Sequence, residues 1–156
     1  MSKIIQIISI FFFSILLISC GYKKISQKIS NINIINIKVN SKDKNAYNLR
    51  NNILLISNAE SKNKYDITVE VSKKKSSKIK NKAGKTTRFN VNISTKVIFK
   101  NINNLQIIDK SFFGNADYDV AIGHAETVSN EKNANKVIIE QISDDIRNFI
   151  TLSLKN

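Results

Sequence analysis

The stretch Lys64-Tyr65-Asp66-Ile67-Thr68-Val69-Glu70-Val71-Ser72 decides the fold. Tyr65, Ile67, Val69 and Val71 fall at every second position, and the residues between them are charged or hydroxylated. Strand side chains alternate between two faces, so this pattern predicts a strand with one buried and one wet face. Phe89, Val91, Ile93, Val97 and Phe99 repeat it against Asn90, Asn92, Ser94, Lys96 and Lys100, which supplies an equally regular partner. A polar turn over Asn101 to Asn104, with Ile102 inside it, and a third strand from Leu105 to about Phe113 complete a meander.

Between the two regular strands lies a run of eight cations and no acid: Lys73, Lys74, Lys75, Lys78, Lys80, Lys82, Lys85 and Arg88. From Asn101 to the end, five cations face eight carboxylates, so the formal +13 of the chain is concentrated in this run. The chain is rich in Ile, Asn and Lys, has no Pro or Trp and holds three Arg, a pattern of codon drift in an AT-rich genome. Two readings of the run stay open. One is a solvated loop, long for a hairpin, that its own repulsion keeps extended. The other is an electrostatic site for phosphate groups, with Lys as point charges and Arg88 as a fork.

Outward from this centre, Gly114 to Gly123 reads as a linker anchored by Tyr118. A helix follows from Glu126 or Asn130 to Leu154, with Ala134, Val137, Ile138, Ile142, Ile146, Phe149 and Ile150 in one stripe. Upstream, Ser41 or Asp43 caps a helix running to about Asn58, with Ala46, Leu49, Ile53 and Ile56 in phase and Tyr47 and Leu54 widening the stripe. Asn31 to Val39 reads as a strand whose apolar phase slips between Ile34 and Ile35, through a bulge or a start at Ile35. The order β-α-β-β-β-α predicts an α+β fold: a two-layer sandwich with a four-stranded mixed sheet and both helices on one face, residues 31–156 forming one domain. Parallel pairing of the first two strands would make their crossover right-handed.

Reactive chemistry is sparse. His124 is the one histidine and Cys20 the one cysteine. Gly84 stands alone rather than in a phosphate-cradling loop, and Asp144 and Asp145 are helical neighbours whose side chains diverge. Phe89, Phe99, Phe112 and Phe113 read as core. The expectation is a protein that is not an enzyme, with no catalytic residue, metal or cofactor.

At the other end, Met1 to Ser19 carries Lys3 and then an apolar run from Ile4 to Ile18, broken by Gln6, Ser9 and Ser14. A basic start, an apolar middle and a small residue before the cut are the parts of an export signal. Leu17-Ile18-Ser19-Cys20 resembles the lipobox of bacterial lipoproteins. In that family the cysteine thiol takes a diacylglycerol, cleavage falls before the cysteine, and the new amine is acylated. The resemblance implies a signal peptide over 1–19 and a lipidated tether over 20–30. The alternatives are an uncleaved signal anchor and, for Cys20, a small buried residue or stray thiol. Gly21, where other lipoproteins carry Asp, resembles those sent on to the outer membrane. Behind such a signal the polyanions within reach are phosphorylated glycolipid and anionic headgroups rather than nucleic acid.

Cys20-Gly21-Tyr22, the element order, the alternating Arg88-Phe89-Asn90-Val91-Asn92-Ile93 and a closing helix with Ala125, Ala134 and Asp145-Ile146 together resemble the LptE family of lipopolysaccharide-assembly lipoproteins, in its short alphaproteobacterial form. The chain departs from many relatives in lacking a proline-containing segment after the cysteine and in a less Ala-rich last helix. The resemblance implies a lipid-anchored protein on the periplasmic face of the outer membrane that partners an LptD-like barrel and binds lipopolysaccharide. The cations from Lys73 to Arg88 would then meet lipid A phosphates. The competing expectation is a tethered adaptor for a cell-wall synthase or a lipid-transport complex.

Overall fold

The computed structural model describes residues 31–41 and 43–154. The expected signal peptide, Cys20 and the tether lie outside them. Four strands form one sheet in the order β1-β2-β3-β4: β1 (Asn33–Val39), β2 (Lys64–Lys80), β3 (Thr86–Asn101) and β4 (Ile107–Asp119). Helix α1 (Lys44–Leu54) joins β1 to β2, and helix α2 (His124–Ser153) closes the chain. β1 runs parallel to β2, and the other pairs are antiparallel. The expected α+β order and mixed four-stranded sheet are present.

The phase slip in β1 is a bulge. Its register against β2 shifts between Ile34 and Asn36, so Ile35 turns outward while Ile34 and Ile37 remain buried. Asp43 caps α1, its carboxylate accepting from the Asn45 N–H at 2.9 Å, and Ala46, Leu49 and Ile53 face the core. The helix ends four residues before Asn58 because the chain there turns to β1. The Asn58 N–H donates to the Ile32 carbonyl at 2.9 Å, and the Ser57 hydroxyl accepts from the Ile34 N–H at 2.9 Å. Tyr47, expected on the apolar stripe, is exposed.

Two boundaries differ more. The basic run is not a long loop: β2 continues through it to Lys80, and the connection to β3 is the short turn Asn81 to Lys85. Backbone pairing with β3 needs no apolar side chains, so the strand outlasts its alternation. Likewise Gly114 to Asp119 is not a linker but the second half of β4, paired with Arg88 to Ile93. Gly, Asn, Ala and Asp have low strand propensity, which hid it. Gly114 sits where α2 comes closest: a Cβ there would lie 2.6 Å from Ile138 Cγ2.

α2 starts two residues earlier than Glu126, at His124, and spans about 45 Å at 1.5 Å per residue. Ala134, Ile138, Ile139, Ile142, Ile146 and Ile150 pack onto Val91, Ile93, Val97, Phe99 and Phe112, while Val137 points to solvent. Phe149 holds the last turns down, with ring centroids 5.6 Å from Phe99 and 6.0 Å from Phe112. The helices meet on the same face, where Asn52 Nδ2 donates to the Ser143 hydroxyl at 2.9 Å. The opposite face of the sheet is open, and Phe113, expected in the core, stands there 67% exposed.

Candidate functional site

β1 pairs with β2 only as far as Val69, so the β2–β3 hairpin projects past the first strand with the outer edge of β2 unpaired from Val71 onward. Lysines along such an edge oppose strand-to-strand association. Seven of the eight cations of the basic run sit on β2 or in the turn. Alternation splits them between two faces.

Lys73 and Lys75 hold the phase that Tyr65, Ile67 and Val69 use to reach the core. Their aliphatic stems continue the apolar row while their ammonium groups reach out to Glu131 on α2. Lys73 Nζ lies 2.8 Å and Lys75 Nζ 3.0 Å from its carboxylate oxygens. The Tyr118 hydroxyl donates to the same carboxylate at 2.9 Å. Phe89 and Tyr118, paired across β3 and β4, stack at 5.6 Å, and the Lys75 ammonium lies 4.7 Å from the Phe89 ring centroid. These contacts fasten the projecting hairpin to the first half of α2.

Lys73 foremost, with Lys75 and Tyr118, holds the Glu131 carboxyl down at about 2. Contacts with Tyr118 and Glu131 raise the Lys75 ammonium. A carboxyl depressed in the folded state contributes stability that is complete above its ordinary value of 4.5 and is lost as pH falls towards 2. Replacing Glu131 by Gln should therefore cost about 1–2 kcal/mol at neutral pH and flatten the decline of Tm between pH 5 and pH 2. Thermal melts of both proteins across that range check it; parallel acid limbs would contradict it.

On the open face, Arg88 grips Asp119 through two bonds, Nε at 2.6 Å and Nη2 at 3.2 Å. Lys78 pairs with Asp117, which also accepts from Asn90 Nδ2 at 2.8 Å. Their cations hold both aspartates below the usual carboxylate range. Four of the eight cations are thus paired with three acids of β4 and α2, Lys73 and Lys75 sharing Glu131. That compensation was invisible in the linear run, because its partners lie 31 to 58 residues away.

The ammonium groups of Lys74, Lys80, Lys82 and Lys85 have no such partner among the described residues. Lys74 stands on the open face, and the other three surround the turn. Asn81 shapes that turn, its side-chain carbonyl accepting from the Ala83 and Lys85 N–H groups at 3.1 and 3.0 Å. Gly84 takes φ +77°, a conformation that favours glycine. The result is a braced cationic tip. It lies at the end of the sheet opposite Asn31, about 50 Å from Lys64 at 3.3 Å per residue.

Among the described residues no helix is long and apolar enough to cross a membrane, and no group of three or more His, Cys, Asp or Glu could hold a metal ion. His124 opens α2 and is exposed.

No protein-family model matches the chain, and no curated protein does. Solved structures do. A candidate lipoprotein from Caulobacter crescentus superposes with a TM-score of 0.57 at 12% identity, over 81% of this chain and 91% of that one. A minor lipoprotein from Acinetobacter baumannii gives 0.58 at 11% identity, over 79% and 92%. Rare lipoprotein B from Shewanella oneidensis overlaps more weakly, with a TM-score of 0.49 at 10% identity over 76% and 92%. The chain shares its fold with the first two proteins, and at such identities the likeness extends to the fold alone.

Proposed function

We propose that this protein is a lipid-anchored envelope lipoprotein of the LptE kind, held through Cys20 at the periplasmic face of the outer membrane. In this reading it assists an LptD-like barrel and binds lipopolysaccharide through its cationic hairpin. The lipobox-like Leu17 to Cys20 and the lipoprotein descriptions of the two structural neighbours support the anchor. The observation that carries the binding role is the braced tip, where among the described residues Lys80, Lys82 and Lys85 have no acidic partner, nor has Lys74 on the open face. Lysine ammonium groups act as point charges for phosphate, and each is worth about 1 kcal/mol near an anionic lipid surface at moderate salt. Lys73, Lys75, Lys78 and Arg88 hold the hairpin in place instead, and Glu131, Asp117 and Asp119 offset three of their four charges.

The two sets of cations can be separated by experiment. Lys→Gln at 74, 80, 82 and 85 together should weaken glycolipid binding by roughly tenfold or more at low salt, a difference that shrinks as salt screens it. Titration of purified lipopolysaccharide at two ionic strengths reads both effects. Equal affinity of the two proteins at both salts would remove the binding role. Crosslinking in cells identifies the partner: recovery of a barrel supports this proposal, and recovery of an inner-membrane complex replaces it with the adaptor.

A further inference from the structure

The end of the sheet opposite the cationic tip carries a different surface. Between β3 and β4 the chain turns through Asn101-Ile102-Asn103-Asn104-Leu105-Gln106, and Leu105 adopts φ +61°. Left-handed backbone is unfavourable for a side chain such as Leu and cheap for Asn, which occupies three other places in the same turn. Leu105 is also 69% exposed, beside Ile107 at 63% and Ile102 at 37%. Neither the turn nor the core requires a leucine there.

The turn is rigidly held. The Asn101 N–H donates to the Gln106 carbonyl at 2.8 Å, the Ile102 N–H to the Lys64 carbonyl at 2.9 Å, and Asn103 Nδ2 to the Lys62 carbonyl at 2.8 Å. The segment that receives it also receives the start of the fold: the Asn31 carbonyl accepts from the Ser61 hydroxyl at 2.6 Å and from Asn63 Nδ2 at 3.2 Å. Asn31, the 61–63 segment and the apolar turn therefore form one end of the molecule. The eleven steps of chain from Cys20 to Asn31 reach at most about 40 Å. Around this end stand the exposed cations Lys62, Lys64 and Lys100 and the acids Glu60, Asp66 and Asp109, the last paired with Lys96 at 3.2 Å.

We infer that the β3–β4 turn is a membrane-seating element: Ile102, Leu105 and Ile107 enter the boundary between headgroups and acyl chains of the leaflet that holds the Cys20 lipid. Lys62, Lys64 and Lys100 lie at the headgroups. This inference rests on the lipid-anchored reading of Cys20. An acyl anchor holds the turn at high effective concentration beside the bilayer, so a modest apolar contact suffices to orient the domain. The domain then stands on this end, and the cationic tip points away from the leaflet. A phosphorylated glycolipid bound at the tip is one presented from outside that leaflet, not one already in it.

The chain has one Cys and no Trp, which makes the test direct. The mature chain from Cys20 is coupled through its thiol to a maleimide lipid in zwitterionic vesicles of phosphatidylethanolamine and phosphatidylcholine, which do not attract the cationic tip. A Leu105→Trp reporter should emit at shorter wavelength than in water and be quenched by lipids brominated near the headgroup. An Ala83→Trp reporter at the opposite tip, where exposed Ile79 and Ile122 also lie, should keep its aqueous emission. An aqueous Leu105→Trp signal, or quenching at Ala83→Trp instead, overturns the inference. Leu105→Asn relieves the backbone conformation and should preserve Tm, yet reduce by roughly tenfold the partition of a Cys20→Ser mature chain onto the same vesicles. Unchanged partition also overturns it. Coupling supplies the anchor chemically, so absence of acyl groups on the N-terminal peptide from cells would remove the lipid-anchor reading without altering either vesicle measurement.

Discussion

Gly114→Val is expected to lower the unfolding free energy by about 3 kcal/mol, the upper part of the usual range for overpacking. The reason is the distance between two layers. Gly114 faces α2 from β4, paired with Ile93 on β3, and the first atom of any side chain there would meet Ile138 Cγ2 at 2.6 Å and Ile142 Cγ1 and Cδ1 at 3.5 Å. Ile138 and Ile142 are fully buried, so neither can turn away into solvent. Valine adds two further methyl groups to that contact, and α2 must lift from the sheet or the strand must bend. Urea unfolding followed by far-UV circular dichroism reads the loss. Combining the substitution with Ile138→Ala should return part of it, because the removed atoms include the one that clashes. Full additivity of the two changes would mean that the close approach is not the cause.

Gly114 also shows where the sequence is silent. In the chain it opens a run of small and polar residues that looks like a linker, because a strand half covered by a close-packed helix needs a gap and not a large apolar side chain. Its function as a strand residue is set by Ile138, 24 residues away. Alternation identified β2 and β3 wherever a strand lies over the core, since burial selects apolar residues at every second place. It failed from Lys73 onward because the in-phase positions there are filled by lysines whose stems replace an apolar side chain and whose charges are met by Glu131.

The same lysines explain why the candidate site was only half legible. A linear count gives eight equal cations. The fold divides them into four that hold the hairpin against β4 and α2 and four that do not, and no spacing within residues 73–88 encodes that division. The bulge in β1, by contrast, was readable, because an extra residue necessarily inverts the phase of every isoleucine after it. Leu105 could have been noticed as well: a leucine among asparagines in a turn is a compositional anomaly, though its left-handed backbone is a property of the fold alone.

Cys20→Ala, exported behind a cleavable signal whose cut needs no cysteine, is expected to lose firm membrane attachment while leaving its fold unchanged. Each acyl methylene contributes about 0.8 kcal/mol on insertion; one chain gives reversible binding, whereas two or three hold a protein for longer than any wash. The described core is built from residues between Ile32 and Leu154, and the substitution leaves all of them in place, so Tm is expected not to move. The β3–β4 turn would still touch lipid, but three side chains without an anchor give a weak and reversible association. The variant should therefore appear in the soluble periplasmic fraction, or pellet only in part and wash off with dilute buffer. Incorporation of labelled fatty acid and the mass of the N-terminal peptide report the modification itself. An unsubstituted protein isolated with residues 1–19 still attached and no fatty acid incorporated would instead identify that apolar segment as the anchor.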